Sequence, residues 1–142
     1  MRVVEVYTDG SFNSSKKMYG SGVIYDVKGD KREFKFGSSD PVVCQYWSAA
    51  GEIMAVMFAV KRAIHDKFEK IIIHHDLENL SKWTTGKSEA KSPIAKQYLN
   101  FYIIAKNYIQ IEFRHVKGHS GDEFNERADV LAKIGCEKIV TQ

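Results

Sequence analysis

Residues 7–12 read Tyr7-Thr8-Asp9-Gly10-Ser11-Phe12 and end a short apolar run that starts at Val3. The run alternates poorly between apolar and polar residues, which is typical of a strand buried on both faces. A carboxylate, Asp9, stands where the run stops, and a glycine and a serine follow it. A strand that ends in an acid and then turns suits a metal or phosphate site. Because Asp, Gly and Ser are also common turn residues, this segment by itself favours a simple polar turn.

The composition indicates a soluble globular protein. The chain has 142 residues, of which 44% are hydrophobic and 27% charged, so we expect a single domain over residues 1–142. No apolar run approaches the roughly 20 residues of a membrane span, and the N-terminus lacks an export signal. We therefore expect a cytoplasmic protein with no membrane partner, in which Cys44 and Cys136 are reduced thiols. The net charge of +3 gives only weak support for a polyanionic partner.

Hydrophobic periodicity predicts the element order βββ-α-β-α-α-β-α. Three strands at residues 2–9, 19–27 and 32–37 are expected to form an antiparallel meander. Two further strands, at 70–75 and 108–116, alternate with helices in the second half of the chain. This alternation implies parallel strands joined by right-handed crossovers, and hence an α/β fold.

Capping residues predict where the helices begin. Ser48 is the expected N-cap of the first long helix, and Ser92-Pro93 is a strong helix start with serine at the N-cap and proline at N1. A short helix is expected over residues 77–83, and Asp122 is expected to cap the last helix.

Four carboxylates are placed where they would converge. The first and fourth predicted strands end with Asp9 and Asp76, which would lie side by side at the carboxyl edge of one sheet if these strands are neighbours. Glu52 lies about one turn into the first long helix, and Asp129 lies in the last helix beside Ala128. Convergent carboxylates repel one another unless cations lie between them, so a metal site is the simplest explanation.

The chemistry of these ligands suggests a nuclease centre. Oxygen-only ligands favour Mg²⁺ or Mn²⁺ over zinc. Two such ions about 4 Å apart stabilise both the attacking and the leaving oxygen in phosphodiester cleavage. His119 lies on a loop flanked by glycines, and its ordinary pKa suits it to carry a proton or to help the product leave.

Five segments resemble type 1 ribonuclease H in order, spacing and placement, across essentially the whole chain. They are Tyr7-Thr8-Asp9-Gly10-Ser11, Gly51-Glu52-Ile53, His75-Asp76, Val116-Lys117-Gly118-His119-Ser120-Gly121 and Asn125-Glu126-Arg127-Ala128-Asp129. Each segment is weak alone, but the combination is highly specific. The sequence looks most like bacterial forms that are often fused to a small hybrid-binding module, and we expect it to be the catalytic domain without that module.

The resemblance implies a five-stranded mixed sheet of order 3-2-1-4-5 with flanking helices. It also implies cleavage of the RNA strand of RNA/DNA hybrids, dependent on two Mg²⁺ ions with Mn²⁺ able to substitute, leaving 5′-phosphate and 3′-hydroxyl ends. Carried over by position, the metal ligands are Asp9, Glu52, Asp76 and Asp129, and His119 is the loop histidine. Together these five are the predicted catalytic residues. We expect the enzyme to be a monomer.

Contacts to the nucleic acid are also expected near the acids. Gly10, Ser11 and Phe12 match backbone that lies along the RNA strand, and a glycine at position 10 would let the nucleic-acid backbone come close to the metals. Further predicted contacts flank the site, and they are Lys82, Trp83, Lys87, Lys91 and Lys117. Two features depart from the family pattern: Ser48 stands where many members have asparagine, and the basic protrusion is reduced. Affinity for the hybrid should therefore be modest and salt-dependent.

Other interpretations of these residues are weaker. A calcium loop starting at Asp9 would need glycine and glutamate where Ser14 and Gly20 stand. His115 and His119 have a zinc-like spacing, but no cysteine pair is near them in the sequence. Two alternative functions stay open, a non-catalytic nucleic-acid-binding module and a DNA-directed nuclease on the same fold. The four intact acids argue against the first, and the Lys117–Asp129 segment argues against the second.

Overall fold

The structure is a computed structural model that describes residues 1–44, 46–116 and 122–137. Within these ranges it has five strands and five helices. The strands are β1 (Val3–Asn13), β2 (Met18–Val27), β3 (Asp30–Ser38), β4 (Lys70–His75) and β5 (Gln110–His115). The helices are α1 (Pro41–Cys44), α2 (Trp47–His65), α3 (Asn79–Thr85), α4 (Pro93–Ala105) and α5 (Glu123–Gly135). None of the helices described is long and apolar enough to cross a membrane.

The strands form one mixed sheet of order β3-β2-β1-β4-β5, which confirms the predicted topology. The β1–β2 and β2–β3 pairs are antiparallel, and the β1–β4 and β4–β5 pairs are parallel. In the parallel β1–β4 pair, Tyr7 lies opposite His74 at the end of the shared ladder. Asp9 and Asp76 each follow two residues later, so the register brings both to the same edge.

Helices cover both faces of the sheet. Successive residues of a strand point to opposite faces. The hydroxyl of Thr8 contacts α2, whereas the ring of Tyr7 contacts Phe124 of α5. Helix α2 therefore lies on one face and α5 on the other. The α2 side holds the large core, which includes Leu80 of α3 and Tyr98 of α4. On the α5 side a small separate cluster forms, consisting of Ile24, Ala128 and Leu131 with Tyr7 packed against it.

The first strand is longer than predicted, and the turn expected after Asp9 is not formed. Strand β1 continues to Asn13, with Gly10 opposite Ser21 and Asn13 opposite Met18 in the antiparallel ladder with β2. Pairing with β4 stops at Tyr7, whereas pairing with β2 goes on. Asp9 therefore lies inside a strand, just beyond the point where one neighbour ends.

The helix starts agree only in part with the capping residues. Ser92 accepts a hydrogen bond from the Ala95 amide, and Asp122 caps α5 as predicted. The prediction for Ser48 is wrong: α2 begins at Trp47 after Tyr46, which makes no side-chain cap hydrogen bond. Helix α3 begins two residues later than predicted, and α1 is a short helix that the predicted element order does not contain.

Candidate active site

Asp9 and Asp76 come from the two central strands of the sheet. Asp9 is 8% exposed, and its Oδ1 accepts a hydrogen bond of 2.8 Å from the Gly10 amide. Asp76 directly follows β4 and is partly buried. Just beyond β5, the Val116 amide donates a hydrogen bond to the His75 carbonyl oxygen at the end of β4. The β4 end is thus fixed on the side of β5 as well.

Glu52 joins these two acids from helix α2, where it is 2% exposed. The helix comes very close to β1 at this point, since a Cβ on Gly10 would lie 2.2 Å from the Glu52 nitrogen and 2.3 Å from the Ser48 carbonyl oxygen. The interpretation of Gly10 from the sequence is therefore corrected. The space beside its Cα is filled by the backbone of α2, and the absent side chain serves helix packing.

The structure brings three of the four predicted metal ligands into contact range. Asp9, Glu52 and Asp76 each offer a carboxylate oxygen, and these oxygens all lie within 4.8 Å of one another. The three acids line one pocket, which is also lined by Gly10, Ser48, Leu77 and Asn125. This cluster is the only group of its kind among the residues that the structure describes.

Asp129 lines the same pocket from the opposite face of the sheet. Helix α5 packs closely against β2 at Gly22, the residue paired with Asp9. A Cβ at Gly22 would lie only 2.2 Å from the Ala128 carbonyl oxygen. The Asp129 side chain reaches Asp9 and also pairs with Lys133 Nζ at 3.0 Å, one helical turn further on. Asp129 is not one of the three acids whose oxygens lie within 4.8 Å of one another, but its side chain faces them across the pocket.

The electrostatics of the pocket favour a bound cation. Burial raises the pKa of Asp9 to about 7, and the nearby charges of Asp76 and Asp129 act in the same direction. Burial also raises the pKa of Glu52 well above its usual value, with the charge of Asp9 as the next cause. Ionised carboxylates in this pocket are therefore destabilised. An all-oxygen ligand set with excess negative charge fits a hard divalent cation such as Mg²⁺ or Mn²⁺.

Metal-free protein should lose stability as the pH rises, and Asp9 should be one cause. Because the pKa of Asp9 is about 7 in the folded chain and has its ordinary value of 3.8 in the unfolded chain, the folded state binds more protons between these pH values. The stability due to protonated Asp9 is present at low pH and is lost as pH rises through about 7. We expect the free energy of unfolding of Asp9→Asn to exceed that of the parent by roughly 2 kcal/mol or more at about pH 8 in EDTA.

Urea unfolding at several pH values measures this difference. The gain from Asp9→Asn over the parent should grow with pH and be small at about pH 4. Asp30→Asn is the control, because Asp30 is exposed at the start of β3. A stability difference that did not change with pH would contradict the raised pKa of Asp9.

The predicted nucleic-acid contacts fall into two groups. Ser11 and Phe12 continue β1 beyond Gly10, and Phe12 packs against the core. The other group lies on and after α3: Lys82 pairs with Glu78 at 2.6 Å, Trp83 is half-buried against Tyr98, and Lys87 and Lys91 are exposed. His119 and Lys117 lie outside the residues that the structure describes.

Two residues next to this pocket were not predicted from the sequence. Trp47 is 67% exposed, has a left-handed backbone with φ of 55°, and directly precedes Ser48 and Ala49 of the pocket wall. A bulky residue in this conformation is unusual, and such strain clusters at functional sites. Thr8 is fully buried and donates a hydrogen bond to Glu52. Neither the backbone angle nor the tertiary hydrogen bond can be read from residue spacing.

The fold and the pocket define a class, namely α/β proteins with an acidic, metal-competent site on the central strands of a mixed sheet. Comparison with known proteins identifies the family within it. The family model for RNase H matches residues 1–137. The ribonuclease H of Chromobacterium violaceum is 33% identical, and the alignment covers 96% of each chain. The chain belongs to the RNase H family and is a ribonuclease H.

Solved structures show the same fold at lower identity. RNase H1 from the archaeon Halobacterium salinarum superposes with a TM-score of 0.78 at 20% identity, covering 95% of this chain and 98% of that one. LC11-RNase H1, solved in complex with an RNA/DNA hybrid, gives 0.76 at 20% identity, with 97% and 99% covered. These similarities agree with the five-stranded topology described above.

Proposed function

We propose that this ribonuclease H, acting as a monomeric cytoplasmic enzyme, hydrolyses the RNA strand of RNA/DNA hybrids by a two-metal mechanism that leaves 5′-phosphate and 3′-hydroxyl ends. The observation that carries the proposal is the group of three buried or partly buried carboxylates whose oxygens lie within 4.8 Å. Asp129 lines the same pocket from the α5 side. Carboxylates that converge in this way repel one another unless a cation or a proton neutralises them.

The residues of the chain have separate roles in this proposal. Asp9, Glu52, Asp76 and Asp129 would hold two Mg²⁺ ions, for which Mn²⁺ could substitute. When bound, such ions lower the barrier by stabilising charge on the attacking and leaving oxygens. The sheet fixes Asp9 and Asp76, while α2 and α5 present Glu52 and Asp129 from either face. His119 is proposed to move a proton near the pocket.

The proposed substrate follows from the family and from the groups around the pocket. LC11-RNase H1 was solved with an RNA/DNA hybrid. A hybrid displays the 2′-hydroxyls of its RNA strand in a wide minor groove, and these hydroxyls let a protein distinguish RNA from DNA. We propose that the β1 backbone at Gly10, Ser11 and Phe12 lies along the RNA strand. The side chains proposed to contact the nucleic acid are Lys82, Trp83, Lys87, Lys91 and Lys117.

Trp47 is a further proposed contact, because its side chain is 67% exposed and it directly precedes Ser48 and Ala49, which line the pocket. Aromatic stacking on nucleic acid contributes about 1–3 kcal/mol, so Trp47→Ala should weaken hybrid binding about tenfold. Binding is measured by fluorescence anisotropy in the Asp76→Asn background, which prevents turnover. Trp47→Phe should retain most of the affinity. Tyr108→Ala is the matched control, since Tyr108 is 70% exposed beyond the end of α4. Equal dissociation constants for Trp47→Ala and the control would remove Trp47 from the substrate surface.

One assay tests the proposed function against its alternatives. Labelled RNA/DNA hybrid, duplex DNA and single-stranded RNA are incubated with the enzyme in Mg²⁺ and in EDTA, and the product ends are analysed. We expect cleavage of the hybrid alone, only with Mg²⁺, with 5′-phosphate ends. Hybrid binding without metal-dependent cleavage would instead support a binding module, and cleavage of duplex DNA would support a DNA-directed nuclease.

A further inference from the structure

Glu52 is held by two hydrogen-bond donors that do not belong to the carboxylate group itself. The Thr8 hydroxyl donates to Oε2 at 2.7 Å, and the Leu77 amide donates to Oε1 at 3.2 Å. Each carboxylate oxygen thus has its own donor. Thr8 is fully buried and Glu52 is 2% exposed, so a polar atom that lost its partner here would carry the desolvation cost of an unsatisfied buried group.

The Thr8 hydroxyl has little choice of partner. Besides Glu52, the only acceptor that it reaches among the described residues is the His74 carbonyl oxygen at 3.5 Å, which is too long for a strong bond. A hydroxyl carries one proton, so the short contact to Glu52 takes it. Thr8 also immediately precedes Asp9, so the same piece of β1 supplies one acid and fixes another.

The Leu77 amide is itself held in place. The ring of His75, which is fully buried, makes a hydrogen bond of 2.9 Å through Nδ1 to the Leu77 carbonyl oxygen. Because a carbonyl only accepts, Nδ1 carries the proton. The segment after β4 that contains Asp76 and Leu77 is therefore anchored on β4 and, through Leu77, on Glu52.

We propose that Thr8 is a positioning residue whose hydroxyl, with the Leu77 amide, holds the Glu52 carboxylate in a single orientation toward Asp9 and Asp76. This inference rests on the proposed metal-dependent cleavage for its functional consequence. The orientation of the Glu52 carboxylate does not depend on the proposed cleavage, because both hydrogen bonds are formed within the chain. Groups that orient metal ligands affect metal affinity and rate through the ligand they hold.

Thr8→Val removes the hydroxyl at constant shape, and Thr8→Ser retains it. With Thr8→Val, the Leu77 amide proton should shift in NMR spectra and exchange with solvent at least about tenfold faster, because the released Glu52 no longer accepts from it. The affinity for Mn²⁺, measured by calorimetry, should fall about 10- to 100-fold. The value of kcat should fall by a similar factor with KM for the hybrid unchanged. Thr8→Ser should restore all three quantities to within about threefold of the parent.

The amide measurement keeps the two proposals separate. If the parent does not cleave hybrids, the proposed function fails, and the Leu77 amide still decides whether Thr8 positions Glu52. If the parent cleaves hybrids but Thr8→Val leaves the Leu77 amide, Mn²⁺ affinity and kcat unchanged, the positioning role is overturned. It is also overturned if Thr8→Ser is as impaired as Thr8→Val, because the hydroxyl would then not be the determinant. Should Thr8→Val not fold, Thr8→Ala removes the same hydroxyl without placing a methyl group where it stood.

Discussion

Replacing Asp76 with asparagine should lower the rate of hybrid cleavage on the order of a thousandfold, which corresponds to about 4 kcal/mol. Asp76 belongs to the group of carboxylates whose oxygens lie within 4.8 Å of one another. Asparagine has the same shape but lacks the negative charge that a hard divalent cation requires. Metal affinity should fall together with the rate. The fold should survive, because Asp76 is only partly buried and lies after β4.

Initial rates with labelled hybrid at saturating Mg²⁺ measure this loss, and circular dichroism with thermal unfolding verifies the fold. Asp30→Asn is the matched control, because Asp30 is exposed and pairs with Val27 at the end of the β2–β3 hairpin remote from Gly22. It should cleave at the parent rate. Near-normal turnover of Asp76→Asn would show that the metals bind elsewhere.

Replacing Gly22 with alanine should destabilise the protein by about 3 kcal/mol, at the upper end of the usual cost of overpacking. The added Cβ would lie 2.2 Å from the Ala128 carbonyl oxygen and 2.7 Å from the Ala132 nitrogen. Both atoms are backbone of α5, so no side chain can rotate away and the whole helix must move. Because Asp129 follows Ala128, the same shift should separate Asp129 from Asp9 and lower the cleavage rate.

Urea denaturation measures the stability of Gly22→Ala, and the hybrid assay measures its rate. Gly29→Asn is a suitable control, because a Cβ at Gly29 meets nothing within 4 Å. Its φ of 91° is in the left-handed region, which asparagine tolerates better than other residues. The control should stay close to the parent in both measurements. A Gly22→Ala protein of parental stability would mean that α5 tolerates displacement at this point.

Local chemistry in the sequence was enough to predict several elements. Strand β4 was predicted with its observed bounds, because an apolar run is followed directly by polar residues. Ser92 and Asp122 were predicted as caps, since a side-chain oxygen that accepts from a helix amide needs only the right residue at the right position. The convergence of Asp9 and Asp76 was predicted on the condition that β1 and β4 are neighbours, and the strand order that makes them neighbours came from the family resemblance.

Features that depend on tertiary pairing were not predictable in the same way. The Asp9-Gly10-Ser11 segment has the composition of a turn, yet it stays extended because β2 continues to pair with it as far as Asn13. The start of α2 at Trp47 could not be predicted from a cap, because the N-cap residue makes no side-chain hydrogen bond to the helix. The contact between Thr8 and Glu52 spans 44 residues of sequence and depends on how closely α2 packs at Gly10.

The two helical layers secure the sheet unequally. The α2 side has a broad core drawn from several helices, whereas the α5 side buries fewer and smaller apolar side chains, among them Ala128, Leu131 and Ala132. A layer with little buried apolar surface opens locally at a lower free energy than the rest of a domain. Such an opening would carry Asp129 away while Asp9, Glu52 and Asp76 stay together. The fraction of molecules competent for catalysis would then be set by the docking equilibrium of one helix, well below the threshold of global unfolding.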